Sequence, residues 1–437
     1  MFLESTRGHS RPKCLLLLSA TTGYQVRSFR DAAEQLGVEV ILGTDRCHVL
    51  EDPWRDGAFP LRFERAKESA RRIARFARRE DFHGIVALGD RPTVAAAHAC
   101  QALGLPGHSP EAAEICRNKH LCRLRLRAAG FSVPRFRRFL LDARPPRVLR
   151  TVAREIGFPC VLKPLALSGS RGVIRADDGQ QFLNALDRLR TLLLLPEVQV
   201  MRESTNRFFQ VEEYIEGKEV AVEGLVRHGR MKLLAIFDKP EPLAGPYFEE
   251  TIYVTPTELS RRLREQLAKD MAKAVSALGL AHGPFHAEWR LNSQALWPLE
   301  IAARPIGGLC ARALRFRRAG STETISLEEL LVRLALDESV ERFEREPVAS
   351  GVMMIPVEKE GIFIRAEGLA AARQTPGIED IVITAKPAER LVPWPEGSSY
   401  PGFIFARGPS PGFVRDALDQ AHRLLRLKVA SALPVMR

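Results

Sequence analysis

The chain has 437 residues, 45% apolar and 27% charged. At roughly 150 residues per domain this allows about three domains and a sizeable core, which excludes a disordered or collagen-like chain. Lysine and arginine total 65 against 53 acids, a net charge of +12, and only twelve of the 65 are lysine. The surplus is local: residues 116–150 carry a net +10, whereas 1–115 and 151–437 carry +1 each.

Seven scattered cysteines with no C-x-x-C pair argue against a disulfide framework or a zinc module and favour a reducing compartment. The apolar run at 14–18 is too short for a bilayer span or a signal peptide. The expectation is a cytoplasmic protein with no membrane partner.

In chain order, CLLLL at 14–18 is continuous rather than alternating and reads as a buried parallel strand. A glycine-containing turn (19–23) and a helix near 24–36 follow, then a second buried strand at 38–42. Residues 64–79 form an amphipathic helix with alanines and Ile73 on one face. A third strand at 84–88 leads through Gly89-Asp90 into an alanine-rich helix ending at Leu103. These repeated units predict a doubly wound parallel α/β domain over 1–115.

Residues 116–130 read as one basic helix closed by Gly130, and 131–141 as extended chain. From 158 onward, strand-like runs (160–163, 173–175, 208–214, 220–226, 232–237) alternate with turn signals and few helices. A helix is expected at 261–278, then a hairpin of 289–293 with 295–301. The charged stretch 337–350 with Pro347 marks the second boundary. It divides a central domain, 116–335, from a C-terminal α+β domain, 336–437, with helices near 369–373 and 413–427. The fold class is therefore α/β and α+β, multidomain.

Against an arginine background, two lysines stand out. Lys119 opens the basic helix, and Lys163 ends the apolar strand VLKP. An ammonium suits phosphate as a point charge, where arginine would impose a fork. Ser168-Gly169-Ser170-Arg171-Gly172-Val173 follows, and its small residues let backbone N–H groups approach an anion. It is not a P-loop, because extended chain follows it. Further on come Glu212-Glu213-Tyr214-Ile215 and Glu219, and the pair Glu288 and Glu300. The hairpin sets that pair side by side, as Mg²⁺ requires of its few protein ligands. His282 and His286 with Glu288 suggest zinc only weakly, since Gly283-Pro284 forbids the helix that would align them. His286 is expected in a substrate pocket instead. Glu249 or Glu250, the latter preferred, and Gly307-Gly308 are further candidates for substrate contact.

In this order the motifs resemble the ATP-grasp superfamily, over most of 1–335 and reaching into the C-terminal part. The version Glu300-x-Ala-Ala-Arg304, with Asp238-Lys239-Pro240 and Phe248-Glu249-Glu250-Thr251, is similar to the branch of dipeptide-forming L-amino-acid ligases. The resemblance implies that Lys119, Lys163 and the 168–173 loop contact ATP phosphates, and that residues 212–215 present backbone and carboxylate to the adenine. Glu219 would hold the ribose, Glu288 and Glu300 Mg²⁺ (or Mn²⁺), and Arg304 the reacting acyl group. Ala302 stands where many members have a metal-binding Asn. The implied activity is carboxylate–amine ligation through an acyl phosphate, with small-molecule substrates and no nucleic acid; a homodimer is compatible with it. A carboxylase-type enzyme using bicarbonate is the alternative within the class. The rival class is a nucleic-acid binder, in which the 117–150 stripe meets phosphates and Phe131, Phe136 and Phe139 stack bases.

Overall fold

The computed structural model describes residues 12–20, 25–45 and 58–431. The first segments build β1 (Cys14–Ser19), α1 (Val26–Gln35), β2 (Glu39–Thr44), β3 (Phe59–Pro60), α2 (Ala66–Phe76), β4 (Phe82–Leu88) and α3 (Thr93–Leu103). Their strands form a parallel sheet in the order β3-β2-β1-β4. β1 is buried along its length, with Leu15 and Leu17 packed into one core and Cys14, Leu16 and Leu18 into another. That two-sided burial is why its sequence is continuous rather than alternating. Part of the turn expected at 19–23 lies outside the described residues.

The basic helix expected at 116–130 is two helices, α4 (Pro110–Arg117) and α5 (Lys119–Ala128). Asn118 breaks it: its side chain accepts the N–H groups of His120 and Leu121 and caps α5. The break puts Lys119 at the first position of a helix. β5 (Phe136–Leu140), α6 (Pro145–Glu155), β6 (Cys160–Pro164) and β7 (Ile174–Ala176) follow. Next come α7 (Gly179–Leu194), α8 (Pro196–Gln199) and β8 (Phe208–Glu213). The strands form an antiparallel sheet, β5-β8-β6-β7. The sixteen-residue α7 is not anticipated by the strand-rich reading of this region. Its signals are Asp178 as cap and the buried stripe Phe182, Ala185, Leu186, Leu189, Leu192 and Leu193.

A larger antiparallel sheet carries the rest. It collects β9 (Lys218–Arg227), β10 (Arg230–Asp238) and β11 (Ile252–Thr255), then, after α9 (Arg261–Leu278), β12 (Gly283–Leu291) and β13 (Leu296–Ala302). β14 (Arg315–Arg318), β15 (Thr324–Ser326), α10 (Leu327–Ala335) and β16 (Phe343–Arg345) form a small flanking unit. The chain then adds β17 (Ala349–Met354), β18 (Gly361–Glu367), α11 (Leu369–Arg373), β19 (Ile378–Ile383), β20 (Arg390–Leu391), β21 (Gly402–Gly408), α12 (Pro411–Leu424) and β22 (Arg426–Ala430). The large sheet runs β13-β12-β9-β10-β11-β17-β21-β19, so three strands from beyond residue 336 complete it. Among the described residues no helix is long and apolar enough to cross a membrane.

The basic segment is not a base-stacking surface. Phe131 packs edge-on against buried Trp289, Phe136 against His120, and Phe139 stacks on buried Phe209. Arg125, Arg135 and Arg137 pair with Glu111, Glu213 and Glu155.

Candidate active site

Two-residue periodicity builds the floor of the site. On β9, Val220 and Val222 point into the core while Glu219, Ala221 and Glu223 share the other face. On β12, Phe285, Ala287 and Trp289 are fully buried, and His286, Glu288 and Arg290 take the opposite face. The antiparallel register sets Glu219 opposite Arg290, Ala221 opposite Glu288, and Glu223 opposite His286. Arg290 Nη2 lies 2.6 Å from Glu219, and His286 Nδ1 2.5 Å from Glu223. β13 then places Glu300 directly across from Glu288.

A cavity of about 410 Å³ opens over this floor. It is lined by Lys119, Lys163, Ser168 to Arg171, Glu212 to Ile215, Glu219, Glu250, His286, Glu288, Glu300, Arg304, Gly307 and Gly308. The segments the sequence singles out thus converge on one space. Gly172 does not line it; its N–H donates to Pro395 O at 2.8 Å. Its φ of +73° and the 2.8 Å that a Cβ would leave to Leu192 explain the glycine. Of the two neighbouring glutamates, Glu250 faces the cavity, whereas Glu249 accepts from the Val357 N–H.

Lys119 Nζ donates to Leu167 O at 2.9 Å and lies 3.4 Å from Glu300, joining the phosphate-loop candidate to the carboxylate pair. Lys163 Nζ is 2.6 Å from Glu212. The Glu212 carboxylate is also forked by buried Arg123, at 2.8 and 3.1 Å, and accepts from Gln210. Burial opposes its ionisation, yet Arg123 and Lys163 hold it far below the usual carboxylate range. The Glu213 carboxylate is held by Arg135. Both carboxylates line the cavity and are engaged there as ion pairs. Arg171 likewise turns its guanidinium to Glu396 O and to Glu197. Glu219 is held by Arg290 and Lys239.

Three residues outside the sequence-based site pair with its side chains. Buried Lys239 sets its ammonium 2.7 Å from Glu219, 2.5 Å from Glu250 and 3.1 Å from Glu288. Asp90, two residues past the end of β4, accepts from Arg304 Nε at 2.9 Å. Burial disfavours the Asp90 carboxylate, but Arg304 overrides it and keeps it ionised. Glu223, paired with His286, is the third. Burial alone would lower the His286 pKa, but Glu223 and Glu288 raise it to about 9, so the ring is cationic at neutral pH. The Glu250 carboxyl is pushed up to about 7 by burial, against the pull of Lys239. The scarcity of lysine that marks Lys119 and Lys163 applies equally to Lys239. Asp90 was legible as lying just past the C-terminal end of a parallel strand, where open α/β sheets bind ligands.

An all-oxygen pair such as Glu288 and Glu300, opening on a cavity that Lys119 and a small-residue loop also face, fits Mg²⁺. His282 and His286 take different partners, Leu334 O and Glu223. In place of the Asn of many members, Ala302 sits across the hairpin from His286.

A parallel α/β unit, an antiparallel lobe carrying the loop, and a large sheet carrying the carboxylates are the parts of an ATP-grasp ligase. Residues 156–313 match the ATP-grasp domain, 30–107 the ATP-grasp N-terminal domain, and 353–430 the L-amino acid ligase C-terminal domain 2. The crystal structure of L-amino acid ligase from Bacillus licheniformis superimposes with a TM-score of 0.80 at 26% identity, covering 97% of this chain and 100% of that one. The alanine--anticapsin ligase of Bacillus subtilis is 30% identical over 226 residues, 48% of this chain and 46% of its own length. The uncharacterized protein y4rH of Sinorhizobium fredii is 25% identical over 341 residues, 78% of this chain and 67% of its own. The chain thus spans about half the length of the first of these curated relatives and two thirds of the second.

Proposed function

We propose that the chain joins the carboxylate of one amino acid to the amine of another at the expense of ATP, releasing ADP and phosphate. The observation that carries this is the meeting, in one cavity, of a carboxylate pair, two lysines, a small-residue loop and an arginine held by Asp90.

Lys119, Lys163 and the backbone of 168–170 are assigned to the ATP phosphates, and the backbone near Ile215 to the adenine edge. Glu288 and Glu300 would hold Mg²⁺, which supplies charge neutralisation and alignment of phosphate oxygens. Glu250 receives a substrate ammonium, with His286 and Gly307-Gly308 bordering the same space. A carboxylate oxygen of the acid attacks the γ-phosphorus, the bond to the ADP oxygen breaks, and an acyl phosphate forms. The amine of the second substrate then attacks the carbonyl carbon. Arg304, fixed by Asp90, stabilises the oxyanion, the carbon–oxygen bond to phosphate breaks, and the proton lost by the amine passes to the departing phosphate. No covalent enzyme intermediate is needed; positioning and charge do the catalysis. The six buried thiols among the described residues suit a reducing, cytoplasmic setting.

The test is a screen of amino-acid pairs for phosphate release with Mg²⁺ and ATP, followed by mass measurement of the product. The reading expects release only with a matched acid and amine, and a product lighter than their sum by one water. Activity that survives Lys163→Ala combined with Glu300→Ala, or phosphate release driven by bicarbonate alone, overturns it.

A further inference from the structure

The C-terminal part of the chain reaches back over the phosphate-loop candidate. Trp394 Nε1 donates to Gly169 O at 3.0 Å. The Gly172 N–H donates to Pro395 O at 2.8 Å. Arg171 Nε donates to Glu396 O at 2.9 Å. Three consecutive residues therefore bond to three positions of one five-residue loop. The clasp is itself anchored: Arg188 on α7 forks the Glu396 carboxylate at 2.5 and 2.7 Å, and the Trp394 indole stacks on Tyr400 at 4.6 Å.

This loop needs outside support. Gly169, Ser170 and Gly172 all have positive φ, at 62°, 55° and 73°. Its own short-range backbone bonds are Arg171 N–H to Ser168 O at 3.4 Å and Val173 N–H to Ser170 O at 3.1 Å. A loop of small residues with two weak turns has many alternative shapes in solution, and each costs nucleotide affinity by dilution of the binding shape. The bonds from 394–396 remove that freedom.

We propose that Trp394, Pro395 and Glu396 are positioning residues of the nucleotide site, holding the 168–172 loop in its phosphate-binding shape. This rests on the reading of 168–172 as the phosphate loop. It gives the C-terminal segment a part in nucleotide binding. Trp394, Ser398 and Tyr400 also line the substrate cavity, so the element that shapes the loop also borders the space where the acid would sit.

Trp394→Phe tests it, because phenylalanine retains the stack on Tyr400 but lacks the indole N–H. Three readouts are needed: hydrogen exchange of the 168–172 amides without nucleotide, KM for Mg·ATP, and KM for the acid substrate. Loss of one hydrogen bond should speed loop exchange about fivefold and raise KM for ATP about fivefold. The rise in KM for ATP should exceed any change in the acid's KM, since Trp394 borders the acid's space as well as the loop, and the thermal midpoint should change little. Unchanged loop exchange overturns the clasp, and so does an equal rise in both KM values, which would mark a merely structural effect. Faster exchange with unchanged ATP affinity overturns the positioning role. Lys163→Ala then separates the causes: if it abolishes ATP binding, the site reading stands and only the clasp's role falls; if ATP binding survives it, the site reading falls as well.

Discussion

Replacing Lys239 by methionine removes one ammonium from among three carboxylates while keeping most of the side chain's volume. Glu219 retains Arg290 at 2.6 Å, and Glu288 retains His286 at 3.9 Å. Glu250 keeps the Tyr253 hydroxyl at 2.7 Å but loses its ion pair. Breaking a buried pair from one side costs about 3–5 kcal/mol. Glu250 can relieve part of that by taking a proton, so we expect about 3 kcal/mol at pH 8. The sign follows from linkage. The folded pKa of Glu250, about 7 with Lys239 present, lies above its ordinary 4.5. Without the ammonium it rises further, so the folded variant holds a proton above pH 7 that the unfolded chain does not. Its stability therefore falls as pH rises from 7, by about 1.4 kcal/mol per unit, where this group in the wild type changes little. The assay is thermal unfolding of both proteins between pH 6 and 9. A deficit on the order of 5 °C at pH 8 that narrows toward pH 6 is expected. A midpoint within about 1 °C of wild type at pH 8, or a deficit independent of pH, refutes the charge argument.

Asp90→Asn should lower kcat about tenfold by freeing Arg304, with KM for ATP unchanged, in steady-state phosphate release; Arg304→Ala should lower it by about 10²–10³. His286 has a raised folded pKa, so its pairing with Glu223 stabilises fully below about pH 6.5 and is lost as pH passes about 9. The thermal deficit of His286→Gln should accordingly be largest near pH 6.5 and shrink by pH 10; a deficit that grows with pH would contradict this. Gly172→Ala, forced to a φ of +73° and against Leu192, should cost about 1–2 kcal/mol and weaken Mg·ATP binding in calorimetry.

Much of the site was legible because its residues violate their surroundings. Lys163 ends an apolar strand, Glu288 and Glu300 interrupt apolar stretches, and lysines are rare in an arginine-rich chain. Local chemistry also determined the elements: the continuous CLLLL run could only be buried on both faces, and α9 and α11 fall at 261–278 and 369–373 as their patterns require. Two of the errors in the helices have separate causes. Asn118 splits a basic helix through a side-chain cap, and α7 was masked by the strand-rich texture around it.

What the sequence could not decide is which charges meet. Glu212 and Glu213 look alike along the chain, yet one is clamped by Arg123 from α5 and the other by Arg135 at the surface. Asp90 and Arg304 lie 214 positions apart and touch. Lys239, Glu219, Glu250 and Glu288 come from four segments, and residues 394–396 close on a loop more than two hundred positions away. Burial and period are local and leave a trace in the order of residues. The pairing of ions depends on sheet register and on how the lobes fold back, so only the tertiary structure settled it.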